Sequence, residues 1–251
     1  MTNPPLSTLR LAAVNIDGVL LNDTFSPVIH RFVGRHQVAY TQELEREVLS
    51  QPRLVAARVL ARAIGSTATP QEILDAFFEE RERYVRTHPE GPLDGAEDLL
   101  RRLGALGLDV VCYGGLDARH FERHLGPWAS LFTEPRYICT NDFRPGIREI
   151  VRDRFGLSFR QAVFIDDAAR FAERAKELDV PFIGHPSDFE HGFQRQLMRA
   201  AGVRHVVDSL HAIDERLLRT LDREAAEGTV WHGTHAPAAP AGVGGMAGEG
   251  S

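Results

Sequence analysis

Short, continuous apolar runs alternate along the chain with longer segments whose apolar residues recur every three or four positions. The runs fall at residues 9–16 (LRLAAVNI), 109–113 (DVVCY), 137–140 (YICT), 162–165 (AVFI) and 180–183 (VPFI), with a shorter sixth at 205–207. Apolar runs of that length, without strict alternation, suit strands buried on both faces of a parallel sheet. The segments between them carry helical spacing. A helix starting near Leu93-Asp94-Gly95 and ending at Gly107 leads into the second run. Residues 146–155 place Ile147, Ile150 and Val151 on one face, and residues 168–178 do the same with Phe171, Ala172, Ala175 and Leu178. The pattern predicts an α/β fold, a Rossmann-like doubly wound parallel sheet covered by helices on both faces.

The alternation breaks once. Between the first and second runs the chain reads as helix after helix: LEREVL, then LVAARVLARAI, then PQEILDAFFEERERYV. Pro70 stands at a first helical position behind Thr69 as N-cap. This insert is too long for a loop and suits a small helical cap. The predicted division is a core from residues 1–23 and 91–232, an inserted α-helical cap from 24–90, and a tail from 233–251. The tail is rich in Ala, Gly and Pro without periodicity and is expected to be disordered.

Composition narrows the function classes. The chain has 251 residues, 43% hydrophobic and 25% charged, with a formal net charge of -6. That balance gives no electrostatic draw toward nucleic acid or an anionic membrane. No apolar run approaches the roughly 18 residues that cross a bilayer. The first ten residues, MTNPPLSTLR, lack the basic start and apolar stretch of a secretory signal. A cytoplasmic protein is expected, with Cys112 and Cys139 as buried thiols and no disulfide. No sequence pattern sets an oligomeric state.

Ligands of an open parallel sheet bind outside the carboxyl ends of its strands. The polar residues there are Asn15 and Asp17 after the first run, Gly114 and Gly115 after the second, Arg144 after the third, and Asp166 with Asp167 after the fourth. Each motif alone is also a common structural device, Asp17-Gly18 as a turn and Asp166 as a helix N-cap. Together they would put three carboxylates and an arginine in one cleft. Acids that close raise one another's pKa, and a hard cation such as Mg²⁺ relieves the conflict.

These residues carry a resemblance. NIDGVL at 15–20, the small residues of VVCYGG at 110–115, RPGI at 144–147 and FIDD at 164–167 resemble, in order, the four motifs of the haloacid dehalogenase-like superfamily. The likeness spans residues 9 to about 210, and the helical insert lies where members with a C1-type cap carry theirs. The resemblance implies a Mg²⁺-dependent phosphatase scaffold. In it, the residue at position 15 would attack phosphorus and Asp17 would be the acid/base, its backbone carbonyl a metal ligand. Asp167 would be the direct metal ligand with Asp166 beside it, and Arg144 would replace the phosphate-binding lysine, with Gly114 and Gly115 forming the anion loop.

Two positions depart from that pattern. Asn15 stands where the family has its nucleophilic acid. A carboxylate can form a covalent intermediate, whereas an amide oxygen is neutral and poorly nucleophilic. The amide also offers a cation a dipole without charge, so Mg²⁺ affinity is expected to be reduced. Gly114 stands where the family has a hydroxyl side chain. Three readings stay open: a repurposed protein that binds a small anionic ligand or uses Asp17 for acid/base chemistry, an active Mg²⁺-dependent phosphomonoester hydrolase, and a structural or regulatory protein with a dead site. Among other residues, His120 and His124 share a helix face read as solvated. FFEERERYVR is read as a charged face with Phe77, Phe78 and Tyr84 partly buried. Tyr113 is placed either in the cleft or in the sheet, and His30, Arg31, Arg35 and His36 either read a substrate or are exposed.

Overall fold

The computed structural model describes residues 4–232, so the 233–251 tail lies outside the described residues. Five strands form one parallel sheet: β1 (Leu11–Asn15), β2 (Asp109–Gly114), β3 (Tyr137–Cys139), β4 (Ala162–Asp166) and β5 (Phe182–Gly184). Their order is β3-β2-β1-β4-β5. The chain adds strands on one side of β1 and then crosses to the other, so the topological switch lies between β1 and β4. Register sets Asn15 beside Tyr113 and Val14 beside Ile165. All five residues of β1, and all five of β4, are buried. That burial is why neither strand shows polar alternation.

Four helices separate β1 from β2: α1 (Phe25–Arg35), α2 (Gln42–Val48), α3 (Arg53–Ala63) and α4 (Pro70–Val85). They enclose a second apolar cluster that includes Val28, Phe32, Leu60, Ile73 and Phe77. Thr69 caps α4 in a full capping box with Glu72, and Pro70 begins the helix. The two chain crossings into and out of this helical unit run side by side, Asn22 bonding Gly91 through both backbone and side chain. The unit is also tied to the core at residues 193–194. Glu45 of α2 is fully buried and accepts from the Phe193 N–H and from Gln194 Nε2.

The remaining helices cover the sheet: α5 (Ala96–Ala105), α6 (Ala118–Leu125), α7 (Ala169–Glu177), α8 (Gln194–Ala201) and α9 (Glu215–Glu227). Asp222 of α9 is tied to the start of the chain, accepting from the N–H groups of Ser7, Thr8 and Leu9.

Several expectations need correction. Residues 205–207 make only a single bridge, Val206 to Gly184, because the chain turns away after one pairing. The helix expected at 146–155 winds as a π-helix over Glu149–Arg154. Cys112 is buried but Cys139 is exposed, since β3 is a three-residue edge strand. In FFEERERYVR, Glu80 is buried rather than solvated, because Arg31, Arg35 and Arg83 converge on it. Arg31 and Arg35 are thereby committed to the helical unit. His30 stacks on His191, His36 is exposed, and none of these four lines the cleft described below.

Candidate functional site

The polar ends of β1 and β4 meet at the switch point. Beyond Asn15 the backbone makes one wide turn, with the Leu21 N–H on the Ile16 carbonyl and the Gly18 N–H on the Leu21 carbonyl. Gly18 lies at φ +86°, and a Cβ there would sit 2.2 Å from Asp167 Oδ2. Position 18 thus requires glycine for conformation and for space. This close approach brings Asp17, Asn15 and Asp167 together.

Asn15 is almost fully buried, and its Nδ2 donates to two acceptors: the Asp17 backbone carbonyl at 2.8 Å and Asp167 Oδ1 at 2.9 Å. Its Oδ1 is buried without a hydrogen-bond partner. The amide orientation follows from these neighbours, since swapping its atoms would set an oxygen against two acceptors. The NH₂ group therefore fills the space between a carbonyl and a carboxylate.

The acid pair divides in environment. Asp166 turns into the protein, where Oδ2 accepts from the Tyr113 hydroxyl at 2.5 Å and Oδ1 from the Ala168 N–H at 2.8 Å. Tyr113 is thus in the sheet core, with its ring against Phe164 and Phe171. Burial pushes the Asp166 carboxyl up to about 6, against the pull of those two donors. Asp167 lines the cleft, and its pKa is raised too, first by burial and then by the charges of Asp166 and Asp23. Among the described residues no cation pairs with either acid at ion-pair distance.

Between the sheet and the helical unit lies a cavity of about 110 Å³. Its polar floor is Asn15, Asp17, Asp167, Gly115 and Arg144, and its walls are apolar side chains of the helical unit, among them Phe25, Ile29, Leu60 and Phe77. Arg144 leans against Gly115, where a Cβ would meet its Nη2 at 3.1 Å, and its Nε is buried without a partner. Gly114 lies just behind this floor. A side chain there would run into Ile16 at 2.5 Å, which explains why no hydroxyl residue stands at that position.

Two cleft residues went unrecognised in the sequence. Asp23 lines the cavity, with Oδ1 accepting from the Phe25 and Ser26 N–H groups and Oδ2 buried without a partner. Its place two residues before an apolar helix start was an available signal for a capping acid. Arg53 at the start of α3 bonds the Gly115 carbonyl through Nε and Nη2 and reaches the cleft from the helical side. Nothing in its local sequence marks it.

The reading of His120 and His124 as a solvated face is wrong. His120 is buried, with Nε2 at 2.8 Å from Asp17 Oδ1. His124 lies against it, ring centroids 4.9 Å apart, with its Nε2 buried and unpartnered. Burial, and next the charge of His120, lowers the His124 pKa. The helix looked polar because its burying partners, Asp17 and Glu90, are remote in sequence.

Solved structures share this fold. One is a haloacid dehalogenase-like protein of unknown function from Agrobacterium tumefaciens, at TM-score 0.63 and 16% identity, covering 84% of this chain and 99% of that one. The chain carries the haloacid dehalogenase-like fold. A phosphonoacetaldehyde hydrolase-like protein from Oleispira antarctica superposes at TM-score 0.63 and 14% identity, over 91% of this chain and 98% of that one. A HAD family hydrolase from Deinococcus radiodurans, solved with bound phosphate and sodium, gives 0.55 and 16%, over 90% and 98%. No protein-family model matches the chain, and no curated protein matches it by sequence. Among the described residues no helix is long and apolar enough to cross a membrane.

Proposed function

We propose that this haloacid dehalogenase-like scaffold binds a small anionic molecule with an apolar body in the cleft and forms no covalent phosphoenzyme. The observation that carries the reading is the Asn15 amide, whose NH₂ group bonds both the Asp17 carbonyl and Asp167 Oδ1. Position 15 then has no ionised oxygen to attack phosphorus, and a neutral amide is a poor substitute. The anion end of the ligand belongs at Arg144 and Gly115. There a guanidinium with an unpartnered Nε borders the cavity, and Arg53 adds a second positive charge. The apolar walls of the helical unit suit the rest of the molecule.

The resemblance also implies Mg²⁺, and the donor set as it stands does not fit a resident cation. The two oxygens that would hold it, the Asp17 carbonyl and Asp167 Oδ1, face the two N–H bonds of Asn15. The amide supplies positive hydrogen where the scaffold would otherwise place a metal.

What chemistry remains rests on Asp17. Asp17 lines the cavity, and His120 Nε2 holds its Oδ1 at 2.8 Å. A proton taken from or given to a bound substrate passes through Asp17 Oδ, with the imidazole fixing its orientation and supporting its negative charge. The geometry thus accommodates general acid/base chemistry on a non-covalently bound ligand.

Calorimetric titration with inorganic phosphate and a panel of phosphomonoesters, with and without Mg²⁺, tests this proposal. Binding independent of Mg²⁺, weakened about tenfold or more in Arg144→Gln, is expected from loss of a charge-assisted contact. Steady Mg²⁺-dependent release of phosphate by the unmodified chain would establish hydrolysis instead.

A further inference from the structure

A second polar cluster lies next to Asp17, built from residues that do not line the cavity. His120 and His124 project from one face of α6, four residues apart. Glu90 reaches them from the crossing that leads out of the helical unit. One ligand-type atom from each of the three lies within 4.8 Å of the others. His124 Nε2 and Glu90 Oε2 are 3.7 Å apart, too far for a hydrogen bond and close to the separation of two ligands on one small cation.

Two of the three side chains are already held in orientation by outer partners. Asp17 fixes the His120 ring through Nε2. Arg81 takes Glu90 Oε1 and leaves Oε2 turned toward His124. Supporting bonds of this kind are what orient the ligands of metal sites. The His120 side chain is more than nine-tenths buried, and the His124 Nε2 is buried with no hydrogen-bond partner, so its lone pair or proton is unused in hydrogen bonding. A buried imidazole nitrogen left that way costs free energy that a bound cation would recover.

We infer that Glu90, His120 and His124 form a binding site for a borderline divalent cation of the Zn²⁺ type, separate from the carboxylates of the cleft. Two imidazoles and one carboxylate favour that class over Mg²⁺ or Ca²⁺, which prefer all-oxygen shells. Three protein ligands leave a fourth position open. Glu90 belongs to the outgoing crossing beside Gly91, whose N–H bonds Asn22 on the incoming crossing. A cation there pins the link between the helical unit and the sheet to α6. It also adjoins, through His120, the acid/base residue proposed above, although the site does not depend on that proposal.

The test uses the full chain, stripped with a chelator and titrated with Zn²⁺ alone against a chromophoric competitor, and with Co²⁺ followed by visible absorption. One equivalent is expected to bind. His124→Ala should weaken it at least about tenfold and Glu90→Gln several-fold, as loss of a ligand demands. Asp167→Asn, in the cleft, should leave Zn²⁺ affinity unchanged. X-ray absorption of the Zn²⁺-loaded native chain reads the ligands without any variant, and two imidazoles with no sulfur are expected. No stoichiometric binding, a sulfur or all-oxygen shell, or binding lost in Asp167→Asn but kept in His124→Ala would each overturn the inference.

Discussion

Replacing Asn15 by aspartate changes one NH₂ group to oxygen between the Asp17 carbonyl and the Asp167 carboxylate. The substitution removes two hydrogen bonds, one to the Asp17 carbonyl and one to the Asp167 carboxylate. Those bonds are worth about 1 and about 2 kcal/mol, the second more because its acceptor is charged. It also sets a carboxylate oxygen against Asp167 Oδ1 at the same separation. Two unit charges about 3 Å apart repel by about 5 kcal/mol at an effective dielectric of about 20. Protonation of one acid limits that penalty, so the net cost near neutral pH should be about 3–5 kcal/mol, or about 10 °C in Tm for a chain of this size. A cation between the acids removes the repulsion. Thermal unfolding by circular dichroism, with increasing Mg²⁺, should therefore show an Asn15→Asp chain that is destabilised without Mg²⁺ and largely restored by it. The native Tm should barely respond. A native Tm that climbs with Mg²⁺ as steeply as that of the variant would refute the claim that the amide stands in for the metal. So would a variant as stable as the native chain in chelator.

Two further outcomes follow from the buried acids and thiols. The folded chain holds the Asp166 carboxyl up to about 6 and raises Asp167 in the same direction. Folded pKa values above the unfolded ones mean that each acid's contribution to stability is fully present below about pH 4 and is lost as pH rises, for Asp166 through about 6. Asp167→Asn should flatten that decline in urea unfolding and stabilise the protein near pH 8, and an unchanged slope would contradict it. Among the two cysteines, the exposed Cys139 should react rapidly with a disulfide reagent. The buried Cys112, whose thiol pKa burial raises, should react only on unfolding. Equal rates would mean that the sheet opens at β2.

The sheet was legible because its central strands are buried on both faces and so read as unbroken apolar runs, as β1 and β4 do. The helical insert was legible from its caps, Thr69 and Pro70 above all. The cleft residues Asn15, Asp17 and Asp167 were legible because each follows such a strand. Edge elements were not: β3 has three residues and leaves Cys139 in solvent, and the segment at 205–207 makes one bridge. Long-range pairing hid the rest. His120 is set by Asp17, 103 positions away, and Arg53 by the carbonyl of Gly115, 62 positions away. The same holds for Gly114. Its small size was visible, but the reason, Ile16 packed where a side chain would go, belongs to the turn after β1.

Intact-protein mass spectrometry after incubating the unmodified chain with acetyl phosphate and Mg²⁺, beside Asn15→Asp, tests the central claim most directly. The account predicts that the native chain gains no phosphoryl group, whereas the variant acquires one that maps to position 15. A phosphoryl adduct on residue 15 of the native chain would contradict it.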